Sequence, residues 1–238
     1  MARPPDPVRR QELLDQVVRY LADHGLAGAS LRPRAQALGV SLNGLVHHFG
    51  TKTDLLVAAL ARANELQQRE SEGWLACNPA LSQADLLRKW WRWINAAPEH
   101  LALVRLGLEA AALDATGSGG LPGQVRAEQV GLWRTDIEQR LVAEGLSAGA
   151  AQVEASLVKA MFTGLVVDLI ATGNRRRLTR ALREGLHRLE AVVASARVGA
   201  VEQPARARPL APPVVPCEPA DLSPLVLVSG SHTGGADR

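Results

Sequence analysis

The sequence of 238 residues has few of the features that mark membrane-bound or secreted proteins. No apolar run approaches the roughly 18 residues that span a bilayer, because arginine, aspartate or glutamate interrupts every candidate. The N-terminus lacks the apolar core of a secretory signal. The two cysteines, Cys77 and Cys217, lie far apart, and the second falls in a proline-rich stretch. We therefore expect no structural disulfide, no membrane association and a cytoplasmic location.

Catalytic and metal-binding motifs are also missing. The chain has no GxSxG, no HExxH, no P-loop and no CxxC pair, and the glycine-rich stretch at Gly117 to Gly120 does not follow a strand. We therefore expect neither an enzyme nor a cofactor. The net charge of +3 is weak evidence for nucleic acid by itself, so any basic surface that binds it must be local.

The sequence is rich in alanine and leucine, which favours helices and predicts an all-α fold. Short helical patterns separated by glycine-containing turns predict a first domain over residues 8–55. Longer helical patterns with proline and glycine punctuation predict a larger helical domain over residues 56–196. Residues 197–238 contain seven prolines between Pro204 and Pro224, and we expect them to form a disordered tail.

The first domain shows helix-start and helix-end signals at close spacing. An apolar stripe predicts a first helix that ends at Gly25. Ser30 and Pro33 then suit the start of a short second helix that ends near Leu38. Ser41 is placed to cap a third helix. The stripe consists of Leu13, Leu14, Val17, Val18 and Leu21.

The third and fourth helices complete the pattern. Leu45 and Phe49 lie four positions apart and are expected to point inward, and Thr51 to Asp54 resembles a capping box at the start of the fourth helix. Two short helices joined by a tight turn and braced by longer helices form a helix-turn-helix unit. The first domain is therefore predicted to be a three-helix unit that reads DNA.

Geometry suggests which side chains meet DNA, because residues near the start of a recognition helix reach base edges in the major groove. Asn43 suits a paired hydrogen bond with adenine, and Gly44 allows close approach. Ser41 and Lys52 stand at helix starts that suit phosphates. The full set of candidate DNA-binding residues is Arg32, Ser41, Leu42, Asn43, Gly44, His47, His48 and Lys52.

The stretch "LADHGLAGASLRPRAQALGVSLNGLVHHFGTKTDLLVAAL" resembles the DNA-binding domain of the TetR family of transcriptional regulators. The resemblance covers Val8 to Ala61 in detail and the rest of the chain only in architecture. It departs from the family pattern at three positions. Gly44 replaces a frequent threonine, His47 replaces an aromatic residue, and Arg34 replaces an aliphatic one.

Other interpretations of these residues remain open. His47 and His48 are adjacent and have no third ligand at helical spacing. A DNA-facing or solvated role is therefore favoured over a metal site for these two residues. Asn43, Arg32 and Lys52 have ordinary exposed surface as the alternative.

The resemblance implies a homodimer that binds a palindromic double-stranded DNA operator. Two apolar helical faces on either side of Gly173 and Asn174 suit a four-helix interface. An internal core is the alternative for the same residues. The candidate interface residues are Leu157, Met161, Leu165, Leu169, Leu182, Leu186 and Leu189.

The resemblance also implies a small-molecule effector bound among the middle helices. Tryptophans near Pro98, together with charged neighbours, predict a pocket for a small apolar or amphipathic molecule, although tryptophan at helical spacing more often belongs to a core or an interface. The candidate effector-binding residues are Trp90, Trp93, His100, Arg105, Glu109 and Trp133.

The function we expect is that of a cytoplasmic, homodimeric, ligand-responsive transcriptional regulator, with repression as the default that the resemblance implies. The alternatives are a helical protein–protein interaction module and a constitutive DNA binder that senses no effector. Salt-dependent DNA binding and ligand-induced thermal stabilisation distinguish the three.

Overall fold

The computed structural model describes residues 7–26, 36, 39, 41–115 and 123–201, with the backbone alone at 42, 114–115, 123–132 and 199–201. These residues form eight helices and no strand, which confirms the all-α class. The helices are α1 (Pro7–His24), α2 (Leu42–Phe49), α3 (Lys52–Cys77), α4 (Gln83–Ala96), α5 (Pro98–Ala115), α6 (Gly123–Ala143), α7 (Ala148–Thr172) and α8 (Arg175–Val201).

The first helix follows its apolar stripe. All five predicted stripe residues are buried, with Val17 and Leu21 fully so, and α1 packs against α3 and α5. Gly25 has a φ of +77°, in the left-handed region that favours glycine, which confirms it as the residue that ends the helix.

The turn before α2 is described only in part. Gln36 is helical, and Gly39 has a φ of +64° and donates a hydrogen bond to the carbonyl of Gln36 at 3.1 Å. The rest of the predicted second helix, including Ser30 and Pro33, lies outside the described residues.

The long helix α3 connects the two predicted domains. It begins at Lys52 and continues to Cys77, so the expected boundary after residue 55 falls inside a helix. Leu55, Leu56 and Leu60 are buried in one continuous apolar cluster that joins α1 to the later helices. The helix therefore packs both on the N-terminal helices and on α5.

The last two helices form a hairpin that polar side chains hold together. Gly173 turns the chain between them with a φ of +65°. Glu154 of α7 accepts two hydrogen bonds from Arg188 of α8 at 2.8 and 2.9 Å, and Asp168 accepts two from Arg177 at 2.7 and 2.8 Å. Both acidic side chains of α7 are thus paired with α8.

Two expectations about the chain need correction. Helix α7 has an 18-residue window with a mean hydropathy of 1.6, so by length and composition alone it is long and apolar enough to cross a membrane; core helices satisfy the same criterion, and the expectation of no membrane association is not overturned. Cys77 is disulfide-bonded, which corrects the expectation of no structural disulfide. Residues 197–201 continue α8 instead of starting a tail, because this segment contains no helix breaker other than Gly199.

Candidate nucleic-acid interface and effector cavity

Helix α2 has one face in the core and one face in solvent. Leu45 and Phe49 are 1% and 6% exposed, as predicted, while Asn43, Val46 and His47 are exposed. The Ser41 hydroxyl accepts a hydrogen bond from the backbone N–H of Gly44 at 2.9 Å, which confirms the predicted cap. The helix thus presents its first turn, with Asn43, to any ligand outside the protein.

A second helix start lies directly after α2. The Thr51 hydroxyl accepts from the N–H of Asp54 at 3.2 Å, and the Asp54 carboxylate accepts from the N–H of Thr51 at 2.9 Å. This is the predicted capping box, and its hydrogen bonds from Thr51 lower the pKa of Asp54. Lys52 is exposed in the first helical turn. The partial positive charge of the helix start and the lysine both suit a phosphate group.

The end of α2 is held by α1. Arg10 donates a hydrogen bond from Nε to the carbonyl of His48 at 3.3 Å, and its guanidinium lies 5.0 Å from the centre of the Phe49 ring. Among the described residues, the half-buried His48 has no hydrogen-bond partner at its buried Nδ1, whereas His47 is exposed.

Two of the candidate DNA-binding residues fall outside this description. Arg32 lies outside the described residues, and the side chain of Leu42 is not described. The rings of His47 and His48 meet edge-on with centres 5.5 Å apart. Across the described residues, no group of three or more histidine, cysteine or acidic side chains could hold a metal ion.

A cavity of about 880 Å³ lies between the middle helices. Five of the described helices line it. Helix α3 contributes amide and hydroxyl side chains among others, and α4 and α5 contribute mainly apolar ones. Helices α6 and α7 contribute aromatic and charged side chains among others. A cavity of this size suits a drug-sized organic molecule. The cavity among the middle helices is therefore large enough for a small organic molecule.

Two of the six predicted effector-binding residues line this cavity. Trp90 comes from α4 and Trp133 from α6, and the Trp133 ring lies 5.6 Å from the ring of buried Phe162, which also lines it. Trp93 and His100 do not. Their rings stack with centres 4.1 Å apart, and His100 Nδ1 donates a hydrogen bond to the Trp93 carbonyl at 2.7 Å. These two contacts join α4 to α5.

Arg105 and Glu109 also lie away from the cavity lining. Arg105 donates a hydrogen bond to the carbonyl of Ala22, and Glu109 accepts one from the N–H of Leu26 at 2.8 Å. Both partners lie at the end of α1. Arg105 Nε and Glu109 Oε1 are 3.3 Å apart and form an ion pair. These two residues connect the middle helices to the N-terminal domain.

Sequence reasoning missed several residues that do line the cavity. Arg140 and Lys159 are half-buried there, and α3 presents Asn64, Gln67 and Ser71 at helical spacing. A polar stripe on a helix normally indicates a solvated face, so the pattern contained no signal for a pocket. Only the way in which α3 packs with α6 and α7 around the cavity reveals its role.

The candidate dimer residues divide into two groups. Leu169, Leu182, Leu186 and Leu189 are 0–3% exposed within one chain, so they belong to the internal core. Leu157 is 47% exposed, and Met161 and Leu165 are half-buried. The exposed face of α7 extends beyond Leu157, at alternating spacings of four and three, as Val153, Leu157, Ala160, Gly164, Val167 and Ala171.

Comparison with known proteins supports the resemblance noted in the sequence. The HTH-type transcriptional repressor AcnR of Corynebacterium glutamicum is 41% identical over 61 residues, which are 26% of this chain and 32% of that protein. The chain thus spans about a third of the length of the curated relatives it matches. No family model matches the chain.

Solved structures share the fold over most of the chain. A regulator from Rhodococcus sp. assigned to the TetR family superposes with a TM-score of 0.61 at 21% identity, over 78% of this chain and 98% of that one. The multidrug binding protein EbrR, in complex with proflavin, superposes with a TM-score of 0.51 at 28% identity, over 76% and 99%. In its fold, and in sequence over about a quarter of its length, the chain resembles the TetR family of transcriptional regulators.

Proposed function

We propose that this protein is a transcriptional repressor that binds an operator through α2 and releases it when a small molecule fills the cavity. The observation that carries the proposal is the exposed first turn of α2, fixed on the core by Leu45 and Phe49 and followed directly by the capped start of α3 with Lys52. The similarity to AcnR, itself named a repressor, supports the assignment. The proposal includes a cytoplasmic location.

The proposal includes a homodimer, because one recognition helix reads only a few base pairs and palindromic operators match two-fold symmetry. The exposed face of α7 is the surface we assign to the interface. It is apolar or small at every position, which permits close helix packing, and its six residues cover about 27 Å of helix at 1.5 Å per residue. Pairing of this face would also account for the apolar character of α7 without a membrane.

The contacts of α1 support a route from the cavity to DNA. Helices α3 and α5 both line the cavity, and both hold α1. Arg62 of α3 binds Asp15 with Nε to Oδ1 at 2.7 Å, while Arg105 and Glu109 of α5 hold the end of α1. A molecule that separates α3 from α5 would move apart the two sets of contacts that hold α1, and α1 would be displaced. Such a molecule shifts the equilibrium only if it prefers the state that does not bind DNA.

The test begins with selection of preferred duplexes from a random library, because the operator is unknown. Binding of the selected duplex is then measured by fluorescence anisotropy over a salt series for the wild type, Asn43→Ala and Lys52→Ala. We expect a palindromic site, a loss of about 1–3 kcal/mol of binding free energy in Asn43→Ala, and a salt dependence reduced by about one ion in Lys52→Ala.

Lys89→Ala is the matched control, since Lys89 lies on α4 away from α2 and should leave operator binding unchanged. Enrichment of no common sequence, or equal binding by the wild type, Asn43→Ala and Lys52→Ala, would show that α2 does not read DNA.

A further inference from the structure

The walls of the cavity differ in chemistry. Helices α4 and α5 contribute a mainly apolar lining, formed by Trp90, Ile94, Leu103, Val104 and Leu108, with Gln83 as a polar residue. The cationic groups and a hydroxyl come from α6 and α7, where Arg140, Lys159 and Thr163 accompany aromatic and apolar side chains and the acidic Asp136. A molecule that fills the cavity would meet apolar surface on one side and polar, cationic surface on the other. The cavity therefore suits an amphipathic occupant.

The acidic and the basic side chains that line the cavity differ in how deeply they are buried. The acidic side chains Glu72 and Asp136 are exposed, whereas the cationic Arg140 and Lys159 are half-buried. Water and salt weaken the field of an exposed charge, but they weaken that of a partly buried charge much less. The two cations are therefore the less screened of the charges that line the cavity.

Arg140 is available to a ligand. Asp136 precedes it by four residues on the same helix, but within the part of the chain that the structure describes Arg140 has neither an ion pair nor a hydrogen bond. A half-buried guanidinium presents several donors in a planar arrangement that matches carboxylate or sulfonate oxygens. Thr163, one turn after Lys159, adds a hydroxyl on the same wall.

Lys159 lies in surroundings that disfavour further positive charge. Burial lowers the pKa of its ammonium group, and repulsion from Arg134 on α6 lowers it further. An anion bound at this wall would compensate both effects, whereas a bound cation would add to the repulsion.

We propose that the effector is an amphipathic organic anion, with its apolar body against α4 and α5 and its acidic head against Arg140 and Lys159. This inference rests on the proposed function and adds the chemical class of the ligand. An anionic effector would distinguish this chain from EbrR, whose structure contains the planar cation proflavin.

Two fluorescent probes that share one ring system test the proposal. 8-Anilino-1-naphthalenesulfonate carries a sulfonate, and N-phenyl-1-naphthylamine is the same molecule without it. Both become fluorescent in apolar sites. We expect the wild type to bind the sulfonate at least ten-fold more tightly, and we expect Lys159→Met and Arg140→Met each to reduce this ratio at least three-fold. Dodecanoate should displace the sulfonate, and 1-dodecanol should not.

Lys89→Met serves as the matched control, because it removes a lysine outside the cavity, and the ratio should stay at the wild-type value. Equal binding of the two probes overturns the proposal, as does a ratio that survives both cavity variants, tighter binding of proflavin, or no binding of any probe. Operator binding by the same preparations without a probe separates these failures from a failure of the DNA-binding function.

Discussion

The Glu109 carboxylate accepts a hydrogen bond at 2.8 Å from the backbone N–H of Leu26, a residue 83 positions away in the sequence. Leu26 is only 5% exposed, and it lies just beyond the glycine that ends α1. A Cβ atom at Gly25 would come within 3.0 Å of the same carboxylate oxygen, so the contact also favours glycine at that turn. The end of α1 is therefore fixed by a side chain from the middle of the chain.

Replacing Glu109 tests whether this contact stabilises the fold and couples the two domains. Glu109→Ala leaves the N–H of Leu26 without an acceptor, and we expect a loss of about 1–3 kcal/mol in the free energy of unfolding. Glu109→Gln keeps a carbonyl oxygen and should lose less than about 1 kcal/mol. Urea denaturation measures both, and equal losses in the two variants would show that the hydrogen bond contributes little.

We also expect 8-anilino-1-naphthalenesulfonate to weaken operator binding less in Glu109→Ala than in wild type.

A second contact of α1 gives a separate stability prediction. The Arg62 side chain is 9% exposed and binds Asp15 and Glu65 at 2.7 and 2.8 Å. Arg62→Met leaves the partly buried Asp15 unpaired, and we expect a loss of about 1–3 kcal/mol, below the value for a fully buried pair. Arg69→Met is the control, because Arg69 binds the same Glu65 but is 60% exposed, and its loss should stay below about 1 kcal/mol. Thermal denaturation that shows equal losses would contradict the assignment.

Local signals in the sequence were sufficient for the N-terminal domain. The stripe of α1, the cap at Ser41 and the capping box at Thr51 each depend on residues within four positions, so spacing alone predicted them. The inward orientation of Leu45 and Phe49 followed from the same periodicity. These elements form in any tertiary context that covers the apolar face.

Contacts between distant helices could not be predicted in the same way. Periodicity correctly indicated that Leu182, Leu186 and Leu189 are covered, but it could not tell whether their own chain or a partner covers them. Arg105 and Glu109 were expected at the effector because charged residues near tryptophans suggest a pocket. Their partners in α1 depend on how α5 crosses the N-terminal domain, which no local pattern encodes.

The buried carboxylate of Glu70 predicts a pH dependence of stability. Its side chain is on α3, 6% exposed, and burial raises its pKa above the ordinary value of 4.5, opposed by the smaller effect of the nearby His100. The folded state thus binds this proton more tightly than the unfolded state, so the stabilisation is complete below pH 4.5 and is lost as pH rises through the folded-state pKa. We expect Glu70→Gln to raise the Tm at pH 7 and to match wild type near pH 4. The exposed Glu72→Gln should show no such change with pH, and a Glu70→Gln variant less stable than wild type at pH 7 would contradict the assignment.

The exposed face of α7 predicts the oligomeric state. Leu157→Glu and Val167→Glu each place a charge in the middle of a surface that we assign to the dimer, where burying an unpaired carboxylate is unfavourable. We expect both variants to sediment as monomers at concentrations at which the wild type is a dimer, and to bind the operator at least ten-fold more weakly because only one recognition helix engages. Val142→Glu is the matched control, since Val142 is 45% exposed on α6, outside that face, and should remain dimeric. Circular dichroism confirms that each variant is folded. A wild type that is monomeric while bound to DNA, or folded dimers of both α7 variants, would show that this face is not the interface.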